Sequence, residues 1–261
     1  TMRTTANCEE TTLRNVTIIG NETIYSASSQ YLEGFEADLG GWLIETQSID
    51  GKSDDLLSTW VRGTPNDFVG GATFEGNAAI FTNSYQPSDI SFVYSPSFDM
   101  TGYDAPAVSF LRLEDLQSTR DGVTFQYSID DGRTWETIGS FDEEIAEIDP
   151  ELASTPGWYN REAITSSPGS QAPGSQATAN NTEGAGWAGQ SDWETATAVV
   201  PVNSSYVRFR FAIASQADIK EDATGFAFDQ VRLYERNKVV LVEQFSSTLS
   251  EPSNSFNTAI N

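Results

Sequence analysis

Hydrophobic positions along the chain fall in short runs with a period of two, a pattern that predicts strands rather than helices. The sharpest run is Asp121 to Trp135. Val123, Phe125, Tyr127 and Ile129 alternate there with Thr124, Gln126 and Ser128, so one face of a pleated strand is apolar and the other polar. Asp130-Asp131-Gly132 then turns the chain: a carboxylate accepts from backbone N–H groups, glycine takes positive φ, and Trp135 returns on the next strand to cover the hairpin. In Tyr206 to Ala214, Val207, Phe209, Phe211 and Ile213 point one way and Arg208 and Arg210 the other. Ala107 to Leu113 has almost no polar face, which predicts a strand buried on both sides.

Other runs carry punctuation. Ala78 to Tyr85 and Ser91 to Tyr94 read as strands, and Ser95-Pro96 is expected to break the second, because proline has no N–H for a central ladder. Ala196 to Val202 reads as a strand whose Pro201 marks a sheet edge or a strand end. Phe226 to Tyr234 slips phase: Phe226 and Phe228 share one parity, Val231 and Leu233 the other. A β-bulge near Asp229-Gln230 absorbs the extra residue and re-aims Asp229.

The texture divides the chain into residues 1–31, a polar tail or the end of a preceding module; 32–236, one β-domain; and 237–261, the start of a following module or a tail. Residues 143–148 suit a turn or two of helix, and Ser166 to Thr182, with PGSQA twice in tandem, reads as a mobile surface loop. Asn15-Val-Thr17 and Asn21-Glu-Thr23 fit the N-glycosylation sequon.

Composition supports an all-β chain, with 15 Phe, 9 Tyr and 6 Trp among 20 Gly and 10 Pro in 261 residues. Fourteen Lys+Arg against 38 Asp+Glu leave a net charge of −24, which repels phosphate backbones and anionic lipid; neither nucleic acid nor a membrane surface is an expected partner. Histidine is absent, which removes Ser/His/Asp triads, Cys/His dyads and His-bearing zinc sites. The one cysteine, Cys8, cannot form an internal disulfide. No stretch approaches the ~20 apolar residues that span a bilayer.

Several phrases then occur in a recognisable order: GFEADLGGW, SYQPSDISFVYSPSFDMTG, DGVTFQYSIDDGRTWETIG, GWAGQSDW, VRFRFAIAS and GFAFDQVRLYER. Together they resemble the MAM-like and reelin-like jelly rolls of secreted, multi-domain surface proteins of Bacteroidota, often exported by the type IX pathway. Within them Ser128-Ile-Asp130-Asp-Gly132-Arg-Thr134-Trp135 resembles the Asp-box, a folding element remote from chemistry. The resemblance implies an antiparallel two-sheet jelly-roll sandwich with first and last strands side by side, and a structural calcium. Glu36 and Asp38, on alternate positions of the first strand, would approach Asp229 at the bulge and give hard oxygen ligands for Ca²⁺, with Asp54, Asp55 and Asp99 as second-tier candidates.

The expected function is a non-catalytic recognition or spacer module of an extracellular, adhesin-like protein that meets a glycan or protein at the cell surface. Trp158, Tyr159, Trp187 and Trp193 flank the tandem loop; any rings exposed there would stack on sugars or seat a partner, while at least half are expected in the core. Two alternatives stand beside it: a carboxylate-dependent glycoside hydrolase, for which no acid pair is singled out by an apolar surround, and an accessory domain of a secreted peptidase.

Overall fold

The computed structural model describes residues 24–26, 30–44, 47–48, 56–57, 59–65, 76, 78–82, 90–116, 121–141, 158–164, 184–215 and 223–236. In chain order the strands are β1 (Ile24–Ser26), β2 (Tyr31–Glu33), β3 (Leu43–Ile44), β4 (Gln47–Ser48), β5 (Leu56–Leu57), β6 (Trp60–Gly63), β7 (Ala79–Thr82), β8 (Ile90–Asp99), β9 (Pro106–Asp115), β10 (Gly122–Ser128), β11 (Glu136–Thr137), β12 (Arg161–Ile164), β13 (Gly184–Gly186), β14 (Glu194–Val199), β15 (Val207–Ala214) and β16 (Gly225–Glu235). No helix occurs among the described residues. The protein is an all-β, two-sheet jelly-roll sandwich.

One sheet runs β1-β8-β15-β10-β11 with β3 also on β8; the other runs β14-β9-β16-β7-β6 with β2 on β16. Pairing within both is antiparallel except for the parallel β1–β8 contact. The last strand, β16, meets β2, Val231 opposite Glu33 and Leu233 opposite Tyr31, whereas the first strand, β1, pairs with β8 in the other sheet. Ile24–Ser26 sits within the first sheet and Tyr31 within the core, so the sandwich takes in residues that a division at 31/32 assigns to a tail.

The two inner faces supply the core. From β10 and β15 come Val123, Phe125, Val207, Phe209, Phe211 and Ile213; from β9 and β16 come Val108, Phe110, Phe226 and Phe228. Phe211 stacks on Phe228 at 3.9 Å between ring centroids and meets Phe110 at 4.8 Å and Phe125 at 4.7 Å, which ties the sheets together at their centre. Offset and edge-on rings of this kind add to what area burial alone contributes.

Three expectations about strands are corrected. Pro96 does not end its strand: β8 runs from Ile90 to Asp99. The ladder slips in register opposite Arg208 to Arg210, and the Ser95 hydroxyl accepts the Phe209 N–H at 2.8 Å, so a side chain supplies the ladder contact where proline stands. Ile129 does not belong to the apolar face, because β10 ends at Ser128 and Ile129 is exposed. Glu36 and Asp38 are not on a strand; Phe35 takes φ 57, which ends β2, and Gly40 and Gly41, at φ 56 and 81, turn the chain toward Trp42.

The bulge in β16 lies where the phase slip puts it: register shifts between Asp229 and Arg232, and Gln230 takes φ 52. Ala107 to Leu113 is buried nearly throughout, and β14 is an edge strand that ends before Pro201. The tandem PGSQA stretch, the sequons, Cys8, the 143–148 segment, Asp54 and Asp55 lie outside the described residues.

Candidate functional site

The acids expected to hold calcium are each engaged locally. Asp38 Oδ1 accepts the Gly40 N–H at 2.7 Å, the short-range geometry of an aspartate in a turn. Glu36 Oε1 accepts the Ala78 N–H at 3.4 Å and lies where a Cβ on Gly76 would stand. Asp229 is fully buried, and its Oδ1 accepts the Gln230 N–H at 2.6 Å inside the bulge. The carbonyls of Phe35 and Glu36, which could have served as metal ligands, accept from the Arg62 guanidinium at 2.5 and 2.6 Å. Asp99 accepts from both the N–H and the hydroxyl of Thr101, and these bonds hold its carboxyl below the usual range. Among the described residues no group of three or more His, Cys, Asp or Glu is arranged to hold a metal ion.

The turn after β10 is likewise closed on itself. Asp130 Oδ1 accepts the N–H of Thr134 at 2.9 Å and of Arg133 at 3.1 Å, and Oδ2 accepts the Thr134 hydroxyl at 2.7 Å. Bonds from Thr134 above all pull its pKa down to about 2. Ser128 Oγ donates to Asp130 Oδ1 and accepts the Gly132 N–H, while Trp135 Nε1 donates to Gly132 O. Trp135 then lies over the outer face of the first sheet, with the Arg210 guanidinium 4.3 Å from its ring and 4.2 Å from that of Phe92. Arg210, fully buried, also donates from Nε to Gln126 Oε1 at 2.7 Å. The bonds from Thr134, Ser128 and Arg133 thus make the Asp130 carboxylate part of the turn's own framework.

Of the four candidate aromatics, Trp158, Tyr159 and Trp187 are buried between the sheets, so none offers a ring face to a ligand. Tyr159 Oη accepts the Phe125 N–H at 3.0 Å and donates to Phe125 O at 3.1 Å, which satisfies backbone groups of β10. Trp158 Nε1 donates to Ile138 O, and the Trp187 ring lies 4.6 Å from that of Tyr159. Trp193 differs. It is partly buried, just ahead of β14, and packs with Phe81 against Leu113 and Ala227. Leu113, Ala227 and Phe81 are register partners across β9, β16 and β7. This row lies on the face of the second sheet opposite the core, since Phe226 and Phe228, the neighbours of Ala227, point inward.

A cluster that sequence reading does not single out sits at the inner end of β9. Glu114 accepts from Arg112 Nη1 at one oxygen and from Asn160 Nδ2 at the other, the latter at 2.7 Å. Arg112 Nη2 also pairs with Glu194 at 2.7 Å. Burial pushes Glu114 up to about 7, against the pull of Arg112 and of the Asn160 bond and with a push from Glu194. The sequence signal was Arg112 near the end of the strand read over Ala107 to Leu113, which has almost no polar face, and Glu114 just beyond it. An acid of this pKa beside a second carboxylate is what a hydrolase needs, yet the Glu114 side chain has 0% exposure while Glu194 is at 51%. No substrate oxygen reaches Glu114 in this arrangement.

No protein-family model matches the chain, and no curated protein matches it. Among solved structures the matches are loose. The K1 cleaved adhesin domain of Lys-gingipain from Porphyromonas gingivalis W83 is 14% identical with a TM-score of 0.41, over 80% of this chain and 99% of that one. The CBM22-1 xylan-binding domain of Xyn10C from Paenibacillus barcinonensis is 7% identical with a TM-score of 0.36, over 81% and 97%. A cyclase from Fischerella sp. TAU is 13% identical with a TM-score of 0.40, over 78% and 96%. Superposition this loose carries no argument about activity.

Proposed function

We propose that the domain is a non-catalytic recognition or spacer module of a larger secreted or cell-surface protein, adhesin-like in role, which meets a glycan or a protein outside the cell. The observation that carries this reading is the half-buried Trp193 indole on the outer face of the second sheet, which with the half-buried Phe81 ring covers the fully buried Leu113 and Ala227 and leaves part of both rings at the surface of a rigid scaffold. An indole in that position suits stacking on a sugar ring or anchoring a protein partner. The hydrolase reading is weaker, because Glu114, the carboxyl with a raised pKa among the described residues, is sealed from solvent.

A pull-down of glycans and surface proteins on the immobilised domain tests the proposal. Retention of a partner by the wild type and its loss in Trp193→Ala, with the variant still folded though at a lowered melting temperature because Leu113 and Ala227 lose their cover, is the expected result; equal retention by both would refute the assigned face. Calcium is implied by the resemblance, but the described residues offer no cradle for it, and the proposal stands without it. Chelation followed by refilling leaves the melting temperature unchanged if Asp38 and Asp229 are engaged only as described; a rise of several degrees would place Ca²⁺ in the fold.

A further inference from the structure

β14 ends the second sheet, and at six residues it is longer than the strands that end the two main sheets elsewhere: β6 has four, β1 three and β11 two. The direction of its backbone groups follows from its neighbours. The Val200 N–H donates to Pro106 O at 3.0 Å and the Leu116 N–H to Gly189 O at 2.8 Å, so even-numbered residues of β9 face β14; the Arg236 N–H donates to Ala105 O, so odd-numbered ones face β16. In an antiparallel ladder successive residues turn their N–H and C=O to opposite sides. Even-numbered residues of β14 therefore bond to β9, and Thr195, Thr197 and Val199 turn their N–H and C=O groups away from the sheet. Among the described residues no strand takes these groups up. The features that usually blunt such an edge are missing: Glu194–Val199 contains no Pro and no Lys, its register against β9 does not shift, and Val199 is 47% exposed.

We propose that the free edge of β14 takes an extended, basic segment of a partner protein as an added strand, its backbone bonded to Thr195, Thr197 and Val199. Donors and acceptors that alternate along an edge and repeat about every 7 Å match a second polypeptide backbone; the hydroxyls of a glycan have no such fixed alternation. Charge decides between the polypeptides that could come. A second copy of this chain brings another −24 against the −24 already present. From Gly184 to Val207 the chain carries two carboxylates, Asp192 and Glu194, and no Lys or Arg. Glu194 is paired with Arg112 at 2.7 Å, which leaves Asp192, exposed just ahead of the strand, to meet a cation. A Lys or Arg at that end of the added strand complements Asp192, and the field of the whole chain steers a basic segment toward it. On the outer face Thr195, Thr197 and Val199 suit β-branched side chains across from them. This inference rests on the reading of the domain as a recognition module, but it uses the edge of the sheet and not the Trp193 indole.

The test adds an acetylated, amidated peptide, Lys-Thr-Val-Thr-Val-Thr-Lys, to the ¹⁵N-labelled full chain and follows amide exchange residue by residue. At about ten times its dissociation constant the peptide should raise protection of the Thr195, Thr197 and Val199 amides about tenfold and leave Ala196 and Ala198, already bonded to β9, unchanged. The same peptide with Glu in place of both Lys should bind at least about tenfold more weakly at low salt. Thr197→Pro removes the central outward N–H and keeps the bonds to β9, a change that an edge strand tolerates, and it should abolish the effect. A partner held through the Trp193 indole would survive that variant, so failure of the edge and failure of the Trp193 face are told apart. Should Thr197→Pro not fold, the alternation of protection in the wild type decides. No rise at the three amides, a rise spread evenly from Thr195 to Val199, equal binding of the Glu peptide, or binding that persists in a folded Thr197→Pro would each overturn the proposal. Protection that grows with protein concentration in the absence of peptide would overturn it too, in favour of a second copy.

Discussion

Replacing Trp135 and Arg210, singly and together, gives a quantitative test of how the turn after β10 is fastened to its sheet. Trp135 is 1% exposed and Arg210 is fully buried, with the guanidinium between the Trp135 and Phe92 rings. Trp135→Leu keeps an apolar cover but removes the π face, and is expected to cost about 2–4 kcal/mol from lost volume and lost cation–π attraction. Arg210→Met keeps the aliphatic stem. It removes both ring contacts and takes the donor at 2.7 Å from the buried Gln126 Oε1, an expected loss of about 3–5 kcal/mol. Because one contact is common to both variants, the double variant should be less destabilised than the sum of the singles by about 1–2 kcal/mol. Urea unfolding measures each term as a midpoint shift at constant slope. A coupling energy within about 0.5 kcal/mol of zero would refute the reading that Arg210 clamps the turn to the sheet.

Three further outcomes follow from burial, hydrogen bonding and space. Glu114 has a folded pKa of about 7 against an ordinary 4.5, so the folded protein keeps a proton that the unfolded chain releases. Its contribution is fully present below about pH 4.5 and is lost as pH rises through about 7, at most about 3 kcal/mol. Urea midpoints from about pH 4.5 to about pH 8 should therefore fall more steeply in the wild type than in Glu114→Gln, and equal slopes would contradict this. Asp130 acts with the opposite sign: its depressed pKa favours the fold above the ordinary carboxylate range, and this is lost as pH falls toward 2, a loss that Asp130→Asn should abolish in acid titrations. Gly186→Ala would place a Cβ 2.4 Å from Ile164 Cδ1 and 2.9 Å from Val123 O; because the second of these is backbone, a lowered melting temperature is expected, and an unchanged one would show that β13 can move away from β10.

The fold was legible where a strand's two faces differ in chemistry. Val123 to Tyr127 and Val207 to Ile213 show their inward residues by alternation, and the β16 bulge shows itself as a broken alternation at Asp229-Gln230. Local rules failed where tertiary contacts intervene. Pro96 reads as a terminator because its missing N–H is visible in the sequence, whereas the Ser95 hydroxyl that repairs the ladder is not. Glu36 and Asp38 read as strand residues because nothing in GFEADLGGW announces that Phe35, a bulky aromatic, takes a left-handed conformation. Of the site, the tryptophans could be found but not ranked: Trp187 and Trp193 stand six residues apart in the phrase GWAGQSDW, and packing places one inside and the other partly at the surface. The Glu114 cluster draws Asn160, Arg112 and Glu194 from three separate segments, a convergence that no spacing rule expresses.

The central claim is that the domain binds without transforming what it binds. Its most direct test is the chemical state of a retained partner: glycans and peptides captured on the immobilised domain are eluted and compared by mass spectrometry with the input. The account predicts intact partner, with retention lost in Trp193→Ala and unaffected in Glu194→Gln. Shortened products generated by the wild type and absent with Glu194→Gln would contradict it.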